Sequence, residues 1–265
     1  MMSTTSRKIA VVTGASSGIG AVYADRLAQR GYDLVLVARR EDRLQSLAAS
    51  LAAAHGVHAE PLVADLATEA GQAKVAQLLA TNPAVSVLVN NAGIARLGPV
   101  GDSADEDLSA QLALNIQALT RLTRAVLPGF KQRKQGTLIN IASVLGLHSL
   151  PISAVYSGTK AFVVAFSNGL AQELEGSGVR VQVVLPAATA TDLWAPSGVP
   201  LEALAPATVM KAEHMVDAAL AGLDQGESLT LPSVADARLI ENYNVARVAL
   251  FSAAQTGVPA PRLKA

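Results

Sequence analysis

The 265-residue sequence contains no cysteine, which removes disulfides, thiolate nucleophiles and thiolate metal sites together. A reducing cytoplasm is the expected setting. Aromatic residues make up only 3% of the chain, too few for a platform on which nucleic-acid bases stack. Neither sign of charge is in excess: 21 basic residues balance 21 acidic ones, so no field draws the chain to nucleic acid or to an anionic membrane. Long apolar runs are also missing. Arg7 and Lys8 precede the run Ile9 to Val12, but Thr13-Gly14 ends it short of a secretory segment, and no export signal is expected. The charge-free stretch between Lys134 and Lys160 is long enough for a membrane span, yet it contains Gln135, Asn140, His148, Pro151 and several serines. His55, His58 and His214 have no metal-ligand spacing, so no metal is expected.

What the chain does have is apolar residues, 51% against 16% charged, enough for a large core. Ile9–Thr13, Asp33–Ala38, Val57–Val63, Val85–Val89, Thr137–Ile141, Val179–Leu185 and Ser228–Leu231 are short and apolar on both faces, as strands of a buried parallel sheet must be. Between them Gly18–Arg30, Glu41–His55, Glu69–Thr81, Ala104–Lys131, Val155–Gly176 and Ala212–Gln225 carry helical spacing. The alternation predicts an α/β fold, a Rossmann-like doubly wound parallel sheet of about seven strands with helices on both faces. Gly31, Gly56, Gly176 and Gly178 follow helices where a positive φ is needed. With no repeat or linker, residues 1–265 read as one domain. Two regions break the pattern: a proline-rich lid around 187–211 and an extended tail over 257–265.

Gly14, Ser16, Ser17, Gly18, Ile19 and Gly20 join the first strand to the first helix. Such glycines bring backbone N–H groups close to a phosphate at the positive end of a helix. No Gly-Lys-Ser/Thr follows, which disfavours a nucleoside triphosphate loop, and the spacing differs from G-x-G-x-x-G. After the second strand, where a carboxylate would bind a ribose 2′-hydroxyl, the chain offers Arg39 and Arg40. Two guanidinium groups match a 2′-phosphate, so NADP(H) is expected rather than NAD.

Tyr156 and Lys160 stand one helical turn apart near a helix N-terminus. An ammonium beside a phenol is expected to lower the tyrosine pKa by roughly 1–3 units and make it an acid or base near neutrality. Ser143 lies just past a strand, at the carboxyl edge where open α/β sheets bind ligands. Asn115 falls within the stripe Leu108, Leu112, Leu119, Leu122, Val126, and a buried amide needs partners.

Taken together, Thr13-Gly-Ala-Ser-Ser-Gly-Ile-Gly20, Asn90-Asn-Ala-Gly93, Asn115, Ser143 and Tyr156-Ser-Gly-Thr-Lys160 resemble the short-chain dehydrogenase/reductase family over about Ile9 to Thr191. The resemblance implies Tyr156 as general acid toward a carbonyl oxygen, Ser143 as its hydrogen-bond partner, and Lys160 on the nicotinamide ribose. Asn115 would hold a water at a helix irregularity. Asn91, Ala92 and Gly93 would line the adenine-side ribose, Asp65 and Leu66 the adenine, and Pro186, Thr189 and Thr191 the nicotinamide carboxamide. Two positions depart from the family pattern: Ala187 replaces a glycine, and Gly158 stands where alanine is common. Leu145, His148, Ile152 and the lone Trp194 are the candidate substrate contacts.

The expected activity is NADPH-dependent reduction of a ketone or aldehyde, reversible as oxidation of a secondary alcohol, by a homodimer or homotetramer acting on a small molecule. A 3-oxoacyl thioester reductase is the alternative within the class; it calls for basic residues at the pocket mouth, where the lid offers only Lys211. From another class, a non-catalytic NADP-binding sensor or scaffold would have no need of the proton-transfer residues.

Overall fold

The computed structural model describes residues 7–263. A parallel sheet forms from β1 (Ile9–Thr13), β2 (Asp33–Ala38), β3 (Ala59–Val63), β4 (Val85–Asn90), β5 (Gly136–Ile141) and β6 (Val179–Val184), completed by β9 (Leu229–Thr230). Two short strands, β7 (Thr189–Ala190) and β8 (Met210–Lys211), pair with each other inside the expected lid and close its base. The main sheet runs β3-β2-β1-β4-β5-β6-β9, seven strands as the apolar runs predict. Pro61, which has no N–H to give, is tolerated because β3 is an edge strand.

Alternate strand residues divide the core in two. Ala10, Val12, Leu34, Leu36 and Ile139 pack with Tyr23 and Leu27 of α1 (Gly18–Gln29), Leu44 of α2 (Glu41–His55) and Val216 and Leu220 of α7 (Ala212–Asp224). Val11, Val35, Leu88 and Leu138 pack with Val75 of α3 (Glu69–Thr81), Leu122 and Phe130 of α5 (Leu119–Arg133) and Leu170 of α6 (Ala154–Glu173). This period of two is what a sheet covered on both faces requires. Strand order reverses between β1 and β4, so a crevice opens at their carboxyl ends.

The helix expected over Ala104–Lys131 is continuous but not uniform. Here α4 (Asp105–Leu112) passes into a π-helical turn, Ala113–Ala118, before α5 begins. Asn115 sits in that turn, so the irregularity implied for it is present.

The chain divides into a compact unit ending at Pro232 and a second unit beginning at Ser233. The second contains α8 (Ala237–Ala254), capped by the Asp236 carboxylate, which accepts from the Arg238 N–H at 3.1 Å. No helix was expected there. Its apolar residues lie on all sides and leave no stripe to read: Leu239, Val245, Val248, Leu250 and Phe251 are all exposed. A short 3-10 turn at Pro261–Leu263 follows, and the last two positions of the expected tail lie outside the described residues. Among the described residues no helix is long and apolar enough to cross a membrane.

Candidate active site

The turn from β1 to α1 is built so that only glycine serves at its critical points. Gly18 has φ +54, and a Cβ on it would stand 2.9 Å from Thr191 Cγ2; one on Gly20 would stand 2.3 Å from the Gly14 carbonyl oxygen. The β4 end is fastened to this turn by Thr13. Its hydroxyl donates to the Val89 carbonyl at 3.1 Å and accepts from the N–H groups of Asn91 and Ala92 at 3.0 Å each. Alongside runs a cleft of about 510 Å³. Gly14, Ser16, Ser17, Gly18 and Ile19 line it with Arg39, Arg40, Asp65, Leu66, Asn91, Ala92, Gly93 and Thr191. Gly20, Pro186 and Thr189 do not line the cleft, and neither do Asn115, Ser143, Tyr156 and Lys160. The Pro186 carbonyl accepts from the Val144 N–H at 3.0 Å, while the Thr189 hydroxyl donates to Ala187 O at 3.1 Å.

Beyond Gly93 in the cleft wall stand the reactive groups, each from a rigid element. Ser143 follows β5; its hydroxyl accepts from the Leu145 N–H at 3.1 Å and donates to the Pro186 carbonyl at 3.5 Å. Tyr156 and Lys160 occupy the first turns of α6, with the Lys160 Nζ 5.7 Å from the centre of the Tyr156 ring. That ammonium donates to the Ile141 carbonyl at 2.9 Å. Asn115 accepts from the Ile94 N–H and donates to the Ile94 carbonyl, both at 2.9 Å, and donates to the Thr159 hydroxyl at 3.1 Å. Thr159 in turn donates to the Tyr156 carbonyl at 2.7 Å. The π turn is thereby tied to the catalytic helix through Thr159, a residue the sequence gave no reason to single out. A Cβ on Gly93 would lie 3.1 Å from Asn115 Oδ1 and 3.6 Å from Lys160 Nζ, so these two side chains adjoin the cleft wall at Gly93.

Burial sets the electrostatics. The Tyr156 phenol is pushed up to about 12, because desolvation disfavours the phenolate more than the neighbouring Ser143 hydroxyl favours it. Lys160 is pushed down to about 8 by the same desolvation. The expected depression of the tyrosine by its neighbouring ammonium is therefore reversed in the free protein. Proximity along the helix is as expected, but loss of water outweighs it.

The family model for short chain dehydrogenases matches residues 8–199. The chain belongs to the short chain dehydrogenase family. A short-chain dehydrogenase from Sphingobium yanoikuyae, described in complex with NADPH, is 42% identical, with 97% of this chain and 100% of that one covered and a TM-score of 0.93. A bulky-bulky ketone specific alcohol dehydrogenase from Comamonas testosteroni is 36% identical, with 97% and 99% covered and a TM-score of 0.89. A very-long-chain 3-oxoacyl-CoA reductase from Anas platyrhynchos is 36% identical over 189 residues, 69% of this chain. The chain spans about 60% of the length of the curated relatives of that name.

As a short chain dehydrogenase the protein is an oxidoreductase, and its fold is the Rossmann-like sheet expected of it. The candidate substrate contacts are less concentrated than the reactive groups. Leu145 is half-buried beside Ser143, whereas His148 and Ile152 are exposed, Ile152 accepting from the Gly98 N–H at 2.7 Å. Trp194 is turned to its own segment: its indole N–H donates to the Thr189 carbonyl at 2.8 Å, while Leu193, Ala195 and Pro196 line the cleft. Arg96 ties this segment to α4, donating to the Pro196 carbonyl at 2.9 Å and to the Asp107 carboxylate at 2.9 Å. Gly146, also unforeseen, lets the turn after Ser143 approach α6, since a Cβ there would stand 2.9 Å from the Lys160 backbone.

Proposed function

We propose that the protein reduces ketones or aldehydes with NADPH, reversibly as a secondary-alcohol dehydrogenase. The carrying observation is that the buried Lys160, whose Nζ lies 5.7 Å from the Tyr156 ring centre, adjoins Gly93 in the wall of a cleft that also bears Arg39 and Arg40. The turn at Gly14–Gly20 suits a pyrophosphate, and the two arginines suit a 2′-phosphate. Once bound, a reduced nicotinamide supplies the hydride. Tyr156 supplies the proton that converts the carbonyl oxygen to hydroxyl, and Ser143 holds that oxygen. A phenol kept protonated by burial is in the correct state to donate. Lys160 and Asn115 orient the tyrosine's helix and the loop carrying Gly93.

The substrate reading favours bulky apolar ketones, because Ile94, Leu114, Leu193 and Pro196 line the cleft and carry no charge. A 3-oxoacyl thioester is the rival, supported by the names of the curated relatives alone. Following loss of NADPH absorbance with diaryl and dialkyl ketones, aldehydes and a 3-oxoacyl-CoA decides between them. Turnover restricted to the thioester overturns the ketone reading, and no turnover with any of them favours a sensor or scaffold.

We further propose that copies associate through α5 and α6. A groove of about 480 Å³ between them is lined by Leu127, Pro128, Phe166 and Leu170, with Arg124 and Lys131 on one side and Glu173 on the other. A two-fold axis would bring these opposite charges together. Sedimentation showing only monomer removes this proposal.

A further inference from the structure

The outer rim of the cleft holds an ion-pair arrangement that the reduction itself does not use. Arg40 spreads its guanidinium over the phosphate turn, donating from Nη2 to the hydroxyls of Ser16 at 2.9 Å and Ser17 at 2.7 Å. Its Nη1 reaches Oδ2 of Asp192 at 3.5 Å, and Arg43 reaches the same oxygen at 2.9 Å. Asp192 belongs to the lid. It directly follows Thr191, whose methyl packs on Gly18, and two residues later comes Trp194, bonded back to the Thr189 carbonyl. A lid carboxylate therefore stands on an arginine of the 2′-phosphate end.

The other acid lining the cleft, Asp65, is turned to its own loop, with Oδ1 accepting from the Ala67 N–H at 3.0 Å. Asp192 is thus the acid in position to meet an incoming phosphate. Two anions brought to one guanidinium repel each other. Arg43 offers the displaced carboxylate a second cation, so the lid need not lose its hold when Arg40 is taken.

We propose that Asp192 is a cofactor-discriminating residue through which the lid senses the 2′-phosphate: phosphate takes Arg40, Asp192 shifts wholly to Arg43, and the lid segment through Trp194 follows. This rests on the NADP reading above. It makes the protein distinguish the two nicotinamide dinucleotides by where the lid sits as well as by affinity. Asp192 touches no reacting atom and is a positioning residue.

Trp194 is the only tryptophan, so its emission reports the lid without interference. The probes are 2′,5′-ADP, which carries the phosphate without a nicotinamide, and 5′-AMP, which lacks it. Affinity is read by calorimetry and lid position by fluorescence. In the natural protein 2′,5′-ADP should bind more tightly than 5′-AMP and change the Trp194 emission, with 5′-AMP leaving it unmoved. In Asp192→Asn and Asp192→Ser, 2′,5′-ADP should bind about two- to fivefold more tightly, the scale of one exposed ion pair, and the emission change should vanish. Asp192 is 58% exposed in its side chain, so both variants should fold, and their unchanged affinity for 5′-AMP checks this. Unchanged or weaker binding of 2′,5′-ADP in both variants, or an emission change that persists in them, overturns the coupling. Equal affinity of the natural protein for the two nucleotides overturns the NADP reading instead.

Discussion

The two ends of the candidate site, the reactive groups beyond Gly93 and the arginine-bearing rim of the cleft, are made in opposite ways. At the inner end Asn115, Ser143, Tyr156 and Lys160 are buried, rise from β5, the π turn and α6, and bond mainly to neutral groups and backbone carbonyls. At the outer end Arg39, Arg40, Arg43 and Asp192 are partly or largely exposed, lie on loops and a helix start, and are arranged by charge. Desolvation governs the first and Coulomb attraction in water the second. The inner end should therefore respond to substitution in rate and to pH, the outer end in cofactor affinity and to salt.

The largest effect is expected at the inner end. Tyr156→Phe removes the proton donor while keeping the ring that Lys160 faces, so turnover should fall by about 10³-fold. Affinity for NADPH, measured by calorimetry, should stay within about twofold of the natural protein's. A comparable loss of affinity would mean the two ends are not separable.

Lys160 gives the next largest effect, read in stability rather than rate. Its value of about 8 lies below the ordinary 10.5, so between those limits the unfolded chain holds a proton that the folded one lacks. Stability must then rise with pH across that window, by about 2 to 3 kcal/mol. Above pH 10 the raised Tyr156 acts in the reverse sense, because there the folded chain keeps a proton that the unfolded one has lost. Denaturant titrations between pH 8 and 10 should show the rise in the natural protein and not in Lys160→Met. Parallel curves for the two would show that the lysine is hydrated when folded, and would remove the basis of the contrast.

Arg39→Asp tests the outer end with a smaller effect. Arg39 lines the cleft, is exposed and makes no ion pair among the described residues, so its replacement disturbs no packing. Loss of a charge-assisted bond and gain of a like charge should lower the preference for NADPH over NADH by about 10- to 100-fold. The ratio of kcat/KM for the two cofactors measures it, and kcat at saturation should hold.

What could be read from the chain follows the same division. Strands β1, β2, β4, β5 and β6 were legible because each is a short apolar run closed by turn residues, and the glycine turn and the Tyr156–Lys160 spacing are local patterns. The π turn has no pattern of its own; only resemblance pointed to an irregularity at Asn115. The strands β7 and β8 are two residues each and announce themselves by pairing, not by sequence. Helix α8 was missed because its apolar residues surround it, and periodicity needs a polar face for contrast. Spacing placed Lys160 beside Tyr156 but said nothing of how much water both would lose, which is why the direction of the tyrosine shift had to come from the fold. The Arg40–Asp192 contact joins residues 152 positions apart, beyond any local signal.

Salt should separate the two ends with the smallest change and no mutation. Raising ionic strength from about 0.1 to 1 M shortens the screening length from about 10 to 3 Å. The contacts offered by Arg39, Arg40 and Arg43 are exposed enough to be screened, so affinity for 2′,5′-ADP should weaken several-fold. Lys160 and Tyr156 are shut away from the counter-ions, so kcat at saturating NADPH should not move. If kcat fell in step with affinity, the inner end would be open to solvent ions during turnover, and the lid held by Arg96 and Asp192 would have to stand open when the proton moves.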